Sequence, residues 1–256
     1  MWIFCGGMAR SGSTLQFQLT AHLIENAGLG KRVEWVRPEE FPRLREKYAH
    51  FTGWKVFKTH VCTAEMLAEF GAENAKGVYV FRDVRDAVVS RLSKGSETFE
   101  HLWKDGFLDR ILTNFHRWTS LEAVLVSRYD EMVADLSGEV GRIAAHLGIA
   151  VGREECERVA AEYTVAQQRE RVREAEAAGR LRQTDGIQYD PVSNLHVDHI
   201  RSGESGEWRS RLAPEEVAMI EDRAKAWLTA NGYPLSLSPW RRFLLKLRYA
   251  RRPHRR

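Results

Sequence analysis

The chain has 256 residues, a formal net charge of +4, and a composition that is 43% hydrophobic and 29% charged. This length and composition suit an α/β protein with a large core in one domain, and no apolar run approaches the ~20 residues that span a bilayer. The three cysteines are dispersed, without metal-binding spacing, and the sequence opens on a strand pattern without a basic leader, so we expect a reduced, cytoplasmic protein.

The first predicted elements are a buried strand over 1–7, a glycine-containing loop, and a helix over 15–27. Gly7 and Gly12 flank four residues, which is the spacing of a nucleoside-triphosphate loop. A strand, a glycine loop and a helix start together direct backbone N–H groups and the positive end of the helix at an anion. Ser13 stands where a triphosphate loop has its lysine, and the cation of this loop is Arg10 instead. The pattern therefore predicts a phosphate site, but not the metal-bound triphosphate of a kinase.

Apolar runs and helical stretches alternate after this first helix. Such alternation predicts right-handed crossovers and a mostly parallel central sheet with helices on both faces, a three-layer α/β fold. Strands are expected at 33–36, 54–57, 77–81 and 123–126, and helices at 38–48, 64–70, 84–92, within 99–121, and at 131–147.

Three chemistry-bearing segments follow the ends of predicted strands. They are the glycine loop, the pair Thr59 and His60, and the pair Arg82 and Asp83. Ligands of parallel sheets bind beyond the carboxyl ends of the strands. We therefore expect the functional site at this edge of the sheet.

The C-terminal third is predicted to contain a lid, a helix and a basic tail. The stretch 179–205 is loop-rich and polar, and it is long enough to serve as a lid. A final helix is expected to begin at Pro214, with Val217, Ile220, Ala224, Trp227 and Leu228 inward. We expect a single domain over 1–239, followed by the tail 240–256.

The tail carries seven arginines, one lysine and no acid, so its formal charge is +8 and that of the remainder is −4. Two interpretations stay open: a disordered, solubilising terminus, or a basic amphipathic segment that contacts a membrane surface or an acidic partner. Because the basic character resides mostly in this tail, it does not indicate nucleic-acid binding, and we expect no nucleic-acid partner.

Five segments of the chain, in order, resemble motifs of the sulfotransferases that use 3′-phosphoadenosine-5′-phosphosulfate (PAPS) as sulfuryl donor. The resemblance covers most of the length and implies a P-loop-like nucleotide-transferase fold. The five segments are 9–14, 57–60, 80–90 with Arg82 and Ser90 eight residues apart, 129–132, and 201–208.

The resemblance also implies which residues hold the donor. The 5′-phosphosulfate would lie on the first loop, at Arg10, Ser11, Gly12, Ser13 and Thr14. The 3′-phosphate would be held by Arg82, Ser90, Arg201, Ser202 and Gly203. Tyr129 and Thr164 would contact the adenine.

Catalysis, by the same resemblance, would rest on His60, Lys58 and Arg10. His60 is expected to take the proton of the acceptor as general base. Lys58 shares its face of the strand by the period-two rule and would stabilise the transferring oxygens. Arg10 keeps its proton at any working pH, so its role would be electrostatic. The product would be 3′-phosphoadenosine-5′-phosphate (PAP), and no metal is expected.

Two other functions remain open at this point: an ATP-dependent phosphotransferase, and an inactive nucleotide-binding module of the same fold. The missing lysine after Gly12 argues against the first. The second is disfavoured by the joint retention of five site residues: Lys58, His60, Arg82, Ser90 and Arg201. The acceptor is expected to be a small molecule, a glycan or a lipid-linked substrate, with a hydroxyl or an amine as the reacting group. The basic tail is compatible with a cytoplasmic protein that lies peripherally at a membrane.

Overall fold

A computed structural model describes residues 1–251, apart from 94, 96, 185, 186, 192, 194, 196 and 198–202. Arg201 and Ser202, which the sequence assigns to the 3′-phosphate, lie outside the described residues. No helix in the described part of the chain is both long and apolar enough to cross a membrane.

Strands and helices alternate along the chain, as the sequence predicts. The strands are β1 (Trp2–Gly7), β2 (Gly30–Arg32), β3 (Trp54–Lys58), β4 (Ala75–Phe81), β5 (Val124–Arg128), β6 (Arg182–Thr184) and β7 (Ile187–Tyr189). The helices are α1 (Ser13–Asn26), α2 (Phe41–Lys47), α3 (Ala64–Gly71), α4 (Val84–Leu92), α5 (Phe99–Lys104), α6 (Phe107–Thr119), α7 (Tyr129–Ala134), α8 (Leu136–Leu147), α9 (Arg153–Glu162), α10 (Val165–Ala177), α11 (Trp208–Arg211), α12 (Pro214–Arg223), α13 (Lys225–Ala230) and α14 (Pro239–Ala250).

The central sheet has five strands in the order β2-β3-β1-β4-β5, and all of the pairings are parallel. Phe4 of β1 lies opposite Phe57 of β3 and Gly77 of β4. The carboxyl ends of β3, β1 and β4 therefore meet at one edge, where the site was expected. The prediction of a mostly parallel three-layer sheet is confirmed.

Successive side chains of β1 point to opposite faces of the sheet, because side chains alternate along a strand. Ile3 and Cys5 pack into a core with α1, α8 and α9. Trp2 and Phe4 lie on the other face, against Phe41 of α2 at ring distances of 5.0 and 5.3 Å. All six residues of β1 are buried, which is typical of the central strand of a sheet covered on both sides.

Three local predictions differ from the structure. The second strand lies at Gly30–Arg32 rather than at 33–36. The helix expected over 131–147 is two helices, because Asp135 ends α7 and caps α8 by accepting a hydrogen bond from the Gly138 amide at 2.8 Å. The helix that begins at Pro214 ends at Arg223, so Trp227 and Leu228 lie on the separate helix α13, and a last helix follows over Pro239–Ala250.

The chain forms two compact units. The first comprises residues 1–81 and 114–203 and contains the sheet, and the second comprises 82–113 and 204–256. The paired strands β6 and β7 lie within the stretch assigned to a lid. The single domain over 1–239, the lid and the separate tail stay predictions.

The second unit is organised around Arg85 of α4. Its guanidinium pairs with Asp83 and with Glu221 of α12, each at 2.7 Å. It also donates to the carbonyl of Pro234 at 3.0 Å and lies 3.9 Å from the centroid of the Trp208 ring. These four partners join α4, α11 and α12 through one buried cation.

We expect Arg85→Ala to destabilise the protein by about 3–5 kcal/mol, because two buried carboxylates lose the cation that pairs with each of them at 2.7 Å. Arg91→Ala is the matched control: its side chain is partly exposed and pairs with Glu97, so its loss should cost at most ~1 kcal/mol. Chemical denaturation of both variants measures the difference. If both variants lost the same free energy of unfolding, Arg85 and its four partners would stabilise the protein no more than a surface ion pair does.

Candidate active site

The loop after β1 is fastened to the neighbouring strand β4. The amide of Met8 donates to the carbonyl of Val80 at 2.9 Å. The Ser11 hydroxyl is fully buried and lies 2.6 Å from the Met8 carbonyl and 2.8 Å from the Val80 carbonyl. Ser11 therefore sets the shape of the loop through its side chain, which points into the protein.

The backbone of the loop turns through two left-handed residues, Arg10 at φ 70° and Gly12 at φ 83°. α1 begins directly afterwards at Ser13, with no acidic residue in its first turn. The first N–H groups of a helix lack intrahelical partners and carry the positive end of the helix dipole. The loop thus presents backbone donors and a cationic side chain to an anion.

Gly12 is held against the ring of Tyr129. A Cβ at Gly12 would lie 2.7 Å from two ring carbons of Tyr129, so this position has room only for glycine. The Tyr129 hydroxyl donates to the carbonyl of Gly203 at 3.0 Å. Tyr129 therefore connects the glycine loop to Gly203, two of the segments assigned to the donor.

Lys58 lies at the end of β3, facing the start of α1. Its ammonium donates to the Thr14 hydroxyl at 2.6 Å, and both side chains are buried. Burial, followed by the nearby Arg10 guanidinium, lowers the pKa of Lys58 to about 8, with Cys5 opposing. Lys58 is therefore a cation at neutral pH that gives up its proton more readily than an exposed lysine.

His60 follows two residues after Lys58, and its Nδ1 lies 2.9 Å from the carbonyl of Gly7. Because a carbonyl can only accept, Nδ1 carries the proton and the lone pair is on Nε2. Desolvation first, then the Lys58 ammonium and Arg10, lower the pKa of His60 to about 4, with the bond to Gly7 opposing. The imidazole is thus a neutral base at neutral pH.

The turn that carries His60 is held by the C-terminal half of α6. Asn114 and Trp118 donate to the His60 carbonyl, Trp118 at 3.3 Å. Arg117 donates to the Cys62 carbonyl at 2.9 Å. No sequence pattern indicated these positioning residues. The one sequence feature related to them is the small residue Gly6, because a Cβ there would come within 2.9 Å of the Trp118 ring.

Arg82 and Ser90 lie in the second unit. The Arg82 guanidinium donates to the Glu204 carbonyl at 3.0 Å and lies 3.6 Å from the Asp86 carboxylate. Asp86 in turn accepts from the amides of Gly206 and Trp208, at 2.7 and 3.1 Å. Burial raises the pKa of Asp86, and these bonds and Arg82 oppose the rise. Asp86 thereby anchors the segment that follows Gly203.

The remaining assigned residue, Thr164, is exposed and caps α10 through its hydroxyl. A Cβ at Gly203 would lie 3.6 Å from the neighbouring Val165, so the start of α10 lies beside Gly203. Within the first unit, the structure therefore brings Lys58 and His60 to one side of the glycine loop, and Tyr129 links the loop to Gly203 and the start of α10. Among the described residues, no cluster of three or more His, Cys, Asp or Glu side chains could hold a metal ion.

Comparison with known proteins gives one family and a consistent set of folds. Residues 3–232 match the family model described as "Sulfotransferase domain". Mouse sulfotransferase SULT7A1 complexed with PAP superposes with a TM-score of 0.66 at 18% identity, over 97% of this chain and 88% of that chain. Retinol dehydratase in a complex with retinol and PAP has a TM-score of 0.62 at 20% identity, over 89% and 81%. Retinol dehydratase with androsterone and "inactive cofactor PAP" has a TM-score of 0.59 at 20% identity, over 93% and 82%.

We expect Gly12→Ala to destabilise the protein more than Gly28→Ala. Both glycines have positive φ, but nothing lies within 4 Å of a Cβ at Gly28. Gly28→Ala should therefore show only the backbone strain of about 1–2 kcal/mol, whereas Gly12→Ala adds a clash with Tyr129 of about 1–3 kcal/mol. Urea denaturation of the two variants measures the difference, and equal effects would contradict the close approach of Tyr129.

The electrostatic coupling of His60 can be measured by following its ring protons in an NMR titration. The pKa should be far below that of an ordinary histidine and should rise in Lys58→Met, because the ammonium is one cause of the lowering. His22 serves as internal control, since the charges that affect its pKa do not include Lys58. A His60 pKa that stays the same in Lys58→Met would show that the two groups are not coupled.

Proposed function

Because this chain belongs to the sulfotransferase family, we propose that it moves the sulfuryl group of PAPS to a hydroxyl or an amine of an acceptor. One observation carries the details of the site: Lys58 ends the strand beside the glycine loop and bonds Thr14, and His60 follows two residues later and bonds Gly7. A cation and a neutral base thereby flank a helix start that suits an anion.

The 5′-phosphosulfate would bind at the N-terminus of α1. The amides of Gly12, Ser13 and Thr14 are suited to its oxygens, and the absence of an acidic residue from the first turn of α1 supports this assignment. A Cβ at Gly7 would lie only 2.5 Å from the Cβ of Ser13, so the strand end and the helix start approach closely enough to form a narrow cradle. Ser11 would contribute through the loop that it shapes.

The 3′-phosphate would be held by Arg82 and Ser90, with Arg201, Ser202 and Gly203. Ser90 lies on α4, eight residues after Arg82. The buried Arg82 guanidinium donates to the Glu204 carbonyl and lies 3.6 Å from the Asp86 carboxylate, and guanidinium groups bind phosphate oxygens as readily as carboxylate oxygens. This assignment rests on the family resemblance together with the burial of Arg82.

The adenine would lie against Tyr129 and Thr164. The Tyr129 ring packs on Gly12, and its hydroxyl bonds Gly203, so one side chain can align the base with both phosphate-binding segments. Thr164 is exposed at the start of α10, where its hydroxyl accepts from the Gln167 amide at 3.3 Å.

The transfer forms a bond between sulfur and the acceptor atom and breaks the bond between sulfur and the 5′-phosphate oxygen. His60 would take the acceptor proton on Nε2, because Nδ1 is held by the Gly7 carbonyl. Lys58 would neutralise the transferring oxygens, and its pKa of about 8 allows it to give a proton to the leaving phosphate. Arg10 keeps its proton and would act by charge alone. PAP leaves as product.

The acceptor is proposed to be a small molecule with a nucleophilic oxygen or nitrogen. Retinol and androsterone are named for solved relatives of the same fold, and both are small molecules. Glycan or lipid-linked acceptors, and peripheral contact of the basic tail with a membrane, stay predictions. A phosphotransferase is disfavoured because Ser13 occupies the lysine position of a triphosphate loop.

We expect PAP to raise the melting temperature of the protein, whereas ATP with magnesium should not. Ligand at a hundredfold excess over its dissociation constant stabilises a protein by about 2.7 kcal/mol, which a thermal shift detects readily. With labelled PAPS and a panel of small-molecule acceptors, label should appear in a product. In His60→Ala, kcat should fall by roughly 10²–10⁴-fold, while PAP still binds.

His101→Ala is the matched control, because His101 is an exposed histidine on α5 in the second unit, and its activity should remain unchanged. Stabilisation by ATP with magnesium but not by PAP would overturn the donor assignment. PAP binding without turnover on any acceptor would favour the inactive module. Normal turnover in His60→Ala would remove His60 from the reaction and leave the donor assignment intact.

A further inference from the structure

The outward face of α14 carries a continuous apolar stripe. Trp240, Phe243, Leu244 and Leu247 are 68%, 51%, 42% and 41% exposed. Their spacing of three, four and seven residues places all four on one side of a helix. Large apolar side chains grouped in this way on a protein surface mark an interaction site rather than ordinary exposure.

The opposite face of α14 is firmly attached to the second unit. Arg242 and Leu245 are buried, and Arg242 donates to the Leu237 carbonyl at 2.6 Å. Lys246 forms an ion pair with Asp222 of α12. The Tyr249 ring lies 5.9 Å from that of Phe99. The helix is therefore docked by its inner face, and the stripe projects outward from a fixed support.

The cations of α14 flank the stripe. At ~100° per residue, Arg241 and Arg248 lie on the same flank of the stripe, two turns apart. Arg251 follows at its C-terminal end. The sequence has no Asp or Glu from 240 to 256 and adds further arginines beyond Arg251. Aromatic and leucine side chains on one face, with arginines beside them, are the composition of a helix that lies in the plane of a membrane interface.

We propose that α14 is the membrane-contact surface of this enzyme and that it binds bilayers containing anionic lipids. The stripe would enter the boundary between headgroups and acyl chains, and the arginines would contact lipid phosphates. With twelve residues, α14 is ~18 Å long, so it lies along the surface rather than across it. A second copy of the chain is a poorer occupant, because two stripes in contact would bring two segments of formal charge +8 together. This surface is independent of the proposed donor site.

Co-sedimentation of the full chain with vesicles tests the proposal. Vesicles of phosphatidylcholine with phosphatidylglycerol should bind the protein, vesicles of phosphatidylcholine alone should bind it far less, and added salt should weaken the binding. Absence of binding to the anionic vesicles at low salt would overturn the proposal.

The contribution of the stripe is isolated by the double variant Trp240→Ser/Phe243→Ser. It should reduce binding to anionic vesicles by at least about tenfold, because two aromatic anchors are lost. The matched control is Trp35→Ser/Val133→Ser, which removes two residues of 43% and 41% exposure elsewhere on the surface and should bind like the unaltered protein. Equal binding of both double variants would overturn the assignment to α14.

The contribution of charge is isolated in the same way. Arg241→Gln/Arg248→Gln should weaken binding by about fivefold per arginine. Arg153→Gln/Arg173→Gln removes two exposed arginines from α9 and α10 and should leave binding unchanged. An equal loss in both variants would show attraction by overall charge only, and would overturn the assignment to this helix.

Insertion is detected by quenching of tryptophan fluorescence with brominated lipid. Trp240→Phe should still bind the vesicles but should lose most of the quenching, because Trp240 is the tryptophan of the stripe. Binding with quenching unchanged in Trp240→Phe would overturn the insertion of α14. Light scattering that shows a dimer, dissociated by Trp240→Ser/Phe243→Ser, would identify a second copy as the occupant and also overturn the proposal.

Discussion

The candidate site depends on the hydrogen bonds that the glycine loop makes to the Val80 carbonyl. That carbonyl accepts from the Met8 amide, and the buried Ser11 hydroxyl lies beside it. The glycine loop is thereby held to β4 on one side, while Lys58 and His60 bind Thr14 and Gly7 from β3 on the other. Because these bonds tie the loop to both neighbouring strands, we expect its geometry to change little when a ligand binds.

The electrostatics of the site follow from this arrangement. Arg10 and Lys58 are close enough to lower the pKa of His60 and, in the case of Arg10, that of Lys58. Cations held together in partly desolvated surroundings repel one another, and an anion placed among them relieves that repulsion. Positive charge at the end of β3 therefore favours an anion there and, after the larger effect of desolvation, helps to keep His60 neutral.

The central part of the fold could be predicted because its signals are local. β1, the glycine loop and α1 follow one another in the chain. Ser90 likewise lies about two turns into α4, the helix that begins two residues after Arg82. The sequence pattern predicted one helix where the structure has two, because a single polar residue sets the boundary. That residue is Asp135, which lies between α7 and α8 and caps α8. The pattern also could not indicate Asn114, Arg117 and Trp118, because their partners lie more than fifty positions away in the chain. For α14 the sequence indicated a basic amphipathic segment as one of two interpretations, but amphipathic spacing does not say which side of a helix is covered.

Arg10 has a consequence for how this protein tolerates change. Its backbone is left-handed, at φ 70°, a conformation in which glycine is more stable than any residue with a Cβ. Stability and charge are therefore opposed at this position, since replacement by glycine would relieve strain and remove the guanidinium at the same time. In variant libraries selected only for expression or thermal stability, we expect Arg10 to be replaced early. If Arg10 persisted in a selection, the selection would have acted on the charge of the site rather than on folding.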